Sequence, residues 1–72
     1  MQVDIHYCSQ WSYKPKAASV ADEISKAYDA EVTLVPGSGG VFDVIADGKL
    51  VYSKAKTGRF PEPGEVVGNI KE

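Results

Sequence analysis

Residues 7–17 read YCSQWSYKPKA, and the fold turns on how this stretch is divided. Before it, QVDIHY (2–7) alternates: Val3, Ile5 and Tyr7 fall on one side, Gln2, Asp4 and His6 on the other. That is the period of a strand with one covered face. Beyond it, Ala17, Val20, Ala21, Ile24, Ala27 and Tyr28 recur at helical spacing and form one apolar stripe. Lys14, Lys16, Asp22, Glu23, Lys26 and Asp29 are left to water. Pro15 suits a first helical turn, where its missing N–H is not needed. The stretch is therefore a strand-to-helix junction. It holds the chain's one cysteine, Cys8, and its one tryptophan, Trp11.

Working outward, EVTLV (31–35) predicts a second short strand, ended by PGSGG (36–40). VFDVIA (41–46) and KLVYS (49–53) flank Asp47-Gly48, a strong signal for a tight hairpin. After KTGRFPEPG (56–64), residues 65–71 place Val66, Val67 and Ile70 at helical spacing, with Glu62, Pro63 and Glu65 suited to a helix N-terminus. The predicted order is β-α-β-β-β-α in a single α/β domain, 1–72. Its first three elements form a βαβ unit, parallel and right-handed. The hairpin adds two antiparallel strands. Two helices covering four strands are expected on one face of the sheet, which explains why Gln2, Asp4 and His6 are polar. The opposite face is open or lies against a partner.

Seventy-two residues approach the lower limit for a self-sufficient core; a chain of this size buries only about 60% of its unfolded surface. A single cysteine excludes an intramolecular disulfide, and one Cys with one His offers no metal set. A lone cysteine without a signal-like segment suits a reducing compartment, so a cytoplasmic location is expected. Apolar runs fall far short of the ~20 residues of a membrane span. A formal charge of −2 with mixed signs disfavours nucleic acid.

A strand ending in YC, two intervening residues, then YKPKA opening a helix resembles the selenoprotein W-like (Rdx) family of thioredoxin-fold proteins. The likeness continues through FDVIADGKLVYSKAKTGRFPEP (42–63), with its Gly-Arg-Phe-Pro run before the last helix, and so covers nearly the whole chain. The resemblance implies a thioredoxin-like four-stranded mixed sheet of order 2-1-3-4, with two helices on one face. It also implies a Cys-x-x-Cys or Cys-x-x-selenocysteine motif whose first position is Cys8. The second position falls on Trp11. The pair that would interconvert between dithiol and disulfide is therefore absent, and any thiol chemistry rests on Cys8 alone.

A single thiolate can exchange with glutathione through a mixed disulfide, provided that a second, external thiol resolves it. Lys14 and Lys16 at the start of the helix favour the thiolate. The alternative is that Cys8 is a small, inert residue at a strand end. Trp11 has two readings as well: it folds back to cap the core, which is preferred, or it forms a docking surface beside Cys8 with Phe60 and Arg59. His6 is read as a surface residue on the open face rather than a base for Cys8, and GSGG (37–40) as a flexible connection. Lys54, Lys56 and Arg59 form a mild basic cluster, a solvated edge that could also recruit an acidic partner or the carboxylates of glutathione. The expected function is thiol redox or peroxide handling through Cys8, with no cofactor beyond a glutathione adduct. Its partner is glutathione or a protein thiol, and the chain is a monomer or weak dimer. The rival is a catalytically silent protein-interaction module using Trp11 and Phe60.

Overall fold

The alternation at the N-terminus becomes strand β1, Gln2–Cys8, with Val3, Ile5 and Tyr7 buried. In the computed structural model, which describes residues 1–70, β1 is followed by helix α1 (Lys14–Ala27) and strand β2 (Glu31–Gly37). Strands β3 (Phe42–Ala46) and β4 (Lys49–Ser53) come next, then helices α2 (Lys54–Thr57) and α3 (Glu65–Asn69). Position 71, where the sequence reading closes its last helix, lies outside the described residues. The sheet order is β2-β1-β3-β4, with β1 parallel to β2 and antiparallel to β3, as expected. Asp47 and Gly48 both take positive φ, 49° and 81°, as the tight β3–β4 turn requires.

One apolar cluster joins Val3, Ile5, Phe42, Val44 and Tyr52 of the sheet to Ala17, Val20 and Ile24 of α1 and to Val66 and Ile70 at α3. Both longer helices therefore share one face. The other face carries Gln2, Asp4 and His6, and the Gln2 amide donates to Asp4 Oδ1 (2.9 Å) and Thr33 Oγ1 (3.1 Å). His6 lies on it, opposite Val35 and Asp43. At the far end of α1, the Tyr28 hydroxyl, one residue past the helix, reaches the carbonyls of Ile70 (2.9 Å) and Val67 (3.2 Å) and ties α1 to α3.

Two details depart from the sequence reading. The expected two helices are three: a one-turn helix, α2, follows β4 directly and ends at Gly58 in the left-handed conformation (φ 78°). A single turn with no buried residue leaves no apolar stripe to read. The second strand also runs past the expected end at Val35, through Pro36 to Gly37. β2 is an edge strand, where a missing N–H can be tolerated. Among the described residues no helix is long and apolar enough to cross a membrane.

Candidate functional site

Cys8 is the last residue of β1, and the loop after β2 reaches it because β1 and β2 are parallel and end side by side: Cys8 pairs with Gly37. The two loops are stitched together. Cys8 N–H donates to Val41 O (2.8 Å), while the Ser9 N–H and hydroxyl both donate to Gly37 O (3.1 and 3.2 Å). Cys8 is 0% exposed, yet it stands outside the contiguous apolar cluster. Burial pushes the thiol up, while hydrogen bonds from the backbone N–H groups of Gly40, Trp11 and Gln10 pull it down, and the balance lies below the ordinary thiol value. Donors that bond the charged form favour it.

The structure corrects the preferred reading of Trp11. Its side chain does not cap the core but is 56% exposed. One edge of the indole rests on Gly40 (φ 76°), where a β-carbon would come within 2.6 Å of Cζ3. Trp11 therefore bridges the two loops that enclose Cys8. The GSGG segment, read as a flexible connection, instead supplies both a donor to the sulfur and the floor beneath the indole.

Trp11 and Phe60 do come together, but through a residue that the sequence reading missed. Tyr13 packs edge-to-face with Trp11 (centroids 5.8 Å) and with Phe60 (4.7 Å), and Phe60 packs in the same way on buried Phe42 (5.4 Å). Each such pair is worth about 0.5–1.5 kcal/mol beyond its buried area. The track thus runs from solvent to core. The signal for Tyr13 was present, an aromatic residue at the last position before the helix. Lys54 Nζ lies 5.5 Å from the Phe60 centroid and 5.8 Å from that of Tyr13, and Lys16 Nζ lies 5.5 Å from Phe60. Lys14 opens α1, exposed, and is not among the groups that shift the Cys8 thiol.

Arg59, offered as a docking residue beside Phe60, is paired. Its guanidinium grips Glu65 with two bonds (2.7 and 2.9 Å), and Nη1 also donates to Phe60 O (3.1 Å). The Arg59 guanidinium, helped by the Glu62 N–H (3.0 Å), holds the Glu65 carboxyl down at about 2. This fork fixes the loop that carries Phe60. Nor does His6 serve Cys8, since the groups that lower the thiol are all backbone N–H.

The sequence model of the Rdx family matches residues 2–72. The chain belongs to the Rdx family. Among solved structures, a protein from Bordetella parapertussis shares 34% identity at a TM-score of 0.89, covering 94% of this chain and 90% of that one. A selenoprotein W-related protein from Vibrio cholerae shares 27% at 0.88, covering 94% and 89%. No curated protein matches the sequence. Membership of the Rdx family and this likeness suggest a thiol redox-type function.

Proposed function

We propose that this Rdx protein exchanges thiols with disulfides through Cys8 alone. The supporting observation is the sulfur's setting: a fully buried thiol receiving backbone N–H groups from Gln10, Trp11 and Gly40, and titrating below its usual range. The Cys8 thiolate attacks one sulfur of a disulfide. A Cys8–S–S–R bond forms, the original S–S bond breaks, and the second sulfur leaves as a thiolate. With Trp11 at the second motif position there is no internal thiol to continue, so an external thiolate attacks the mixed disulfide. It carries R away as a new disulfide and restores Cys8. Glutathione and protein thiols are the two partner classes, and a reducing compartment such as the cytoplasm suits a lone thiol.

Alkylation of Cys8 followed against pH tests this. The rate should reach half its plateau below the ordinary thiol value of about 8.5. Oxidised glutathione should add one glutathionyl group by intact mass, absent in Cys8→Ser. Labelling only after denaturation would show a structural cysteine.

A second reading is favoured by the exposure of Trp11 beside Tyr13 and Phe60: a protein-interaction module. Partner binding that survives Cys8→Ser supports it.

A further inference from the structure

The sheltered position of Cys8 bears on what kind of disulfide reaches it. The thiol has no exposed surface, and the concavities at Met1–Asp47–Asn69, Leu50–Thr57 and Lys16–Pro61 are all lined without it. None of these three concavities gives a small disulfide a cleft at the sulfur. The exposed feature nearby is the Trp11 indole, joined through Tyr13 to the half-buried Phe60 ring between Lys16 and Lys54.

Charge is segregated onto the same elements. Residues 5–21 and 50–61, which carry the track and its neighbours, hold Lys14, Lys16, Lys54, Lys56 and Arg59 and no Asp or Glu. All ten acidic residues of a chain with formal charge −2 lie outside those two stretches. Arg59 is neutralised by Glu65, and Lys16 shares a shallow cavity with Glu23 and Glu62, of which Glu23 accepts the Gly64 N–H (3.0 Å). Lys14, Lys54 and Lys56 have no ion-pair partner among the described residues. An ammonium above an aromatic ring keeps donors free for a carboxylate.

We infer that the Trp11–Tyr13–Phe60 track and its lysines are the docking face for an acidic polypeptide segment with an apolar side chain, which delivers its disulfide to Cys8. The apolar side chain packs on the exposed indole, and the acidic residues lie along Lys14, Lys16 and Lys54. Contact with the indole levers its edge off Gly40 and opens the two-loop enclosure. The sulfur step rests on the exchange proposed above: the Cys8 thiolate bonds to the segment's sulfur, and the other half of that disulfide departs as a thiolate.

The probes are two short synthetic peptides, each with one Phe and one Cys carried as the nitrothiobenzoate mixed disulfide. One is rich in Glu and the other has Lys in place of every Glu. Release of nitrothiobenzoate by the folded protein should be at least about tenfold faster with the acidic peptide at low salt. That advantage should shrink at high salt. It should collapse in the Lys16→Glu/Lys54→Glu variant but persist in Lys26→Glu, a charge reversal at the other end of α1. Equal rates for the two peptides would overturn the inference while leaving exchange intact. Docking has its own readout, because Trp11 is the sole tryptophan. A Ser-for-Cys acidic peptide should shift its emission saturably, and the basic one should not. No shift with the acidic peptide overturns the docking face, whereas a shift without nitrothiobenzoate release overturns the exchange and keeps the face.

Discussion

The indole of Trp11 and the α-carbon of Gly40 are packed so closely that any β-carbon at position 40 would fall 2.6 Å from Cζ3. The Gly40 N–H is also among the backbone groups that pull the Cys8 thiol down, so one residue couples the exposed ring to the buried thiol. Replacing it disturbs both. Gly40→Ala combines this clash with a φ of 76° and should lose about 1–2 kcal/mol in urea melts from the left-handed conformation alone. Trp11 emission should change, and the midpoint of the pH profile for Cys8 alkylation should rise towards that of a free thiol. An unaltered midpoint would show that the Gly40 N–H does not set the thiol's acidity.

Trp11→Cys restores two residues between cysteines, the spacing of dithiol oxidoreductases. Mild oxidation should form an 8–11 disulfide, read as the loss of two hydrogens by intact mass. Because Trp11 is 56% exposed, the reduced variant should melt within about 1 kcal/mol of the parent, at an unchanged denaturant slope. A larger loss would mean that the aromatic track bears more of the fold than its exposure implies.

Tyr28→Phe removes the hydroxyl that reaches the carbonyls of Val67 and Ile70. The expected loss is about 1 kcal/mol. Amide exchange should quicken at Val66 and Ile70, while β1 and β3 keep their protection.

Glu65 gives a pH signature. Its carboxyl is held at about 2 in the folded chain and returns to about 4.3 on unfolding. A depressed carboxyl stabilises the fold above the unfolded value, and that contribution is lost as pH falls towards the folded one. The difference in melting midpoint between the parent and Glu65→Gln should be steady at neutral pH and shrink between about 4.3 and about 2. A gap independent of pH would sink the ion pair as its source.

The sheet was legible because its signals are local and strong: the alternation of Val3, Ile5 and Tyr7, the stripe from Ala17 to Ile24, and the Asp47-Gly48 turn. The place of Cys8 at the end of the first strand was legible as well. The rest of the site was not, because its parts are a backbone property or a long-range meeting. Three N–H groups leave no trace in residue identity. The role of Gly40 depends on β1 and β2 ending side by side, a fact of topology rather than of the GSGG string. Arg59 looked free because Glu65 lies six residues on, across a loop whose course Pro61 and Pro63 obscure. Tyr13 looked like a helix boundary until Phe60 arrived on it.

The donors around Cys8 belong to the main chain, and that bears on mutational tolerance. A charge-stabilising environment made of side chains can be erased by one substitution, whereas this one is written in the path of the backbone. Most exchanges at positions 10 and 11 leave the sulfur's hydrogen bonds in place. Proline, which has no N–H, and any residue with a β-carbon at position 40 are the exceptions. A substitution at position 11 that keeps its N–H therefore leaves the surroundings of the thiol in place.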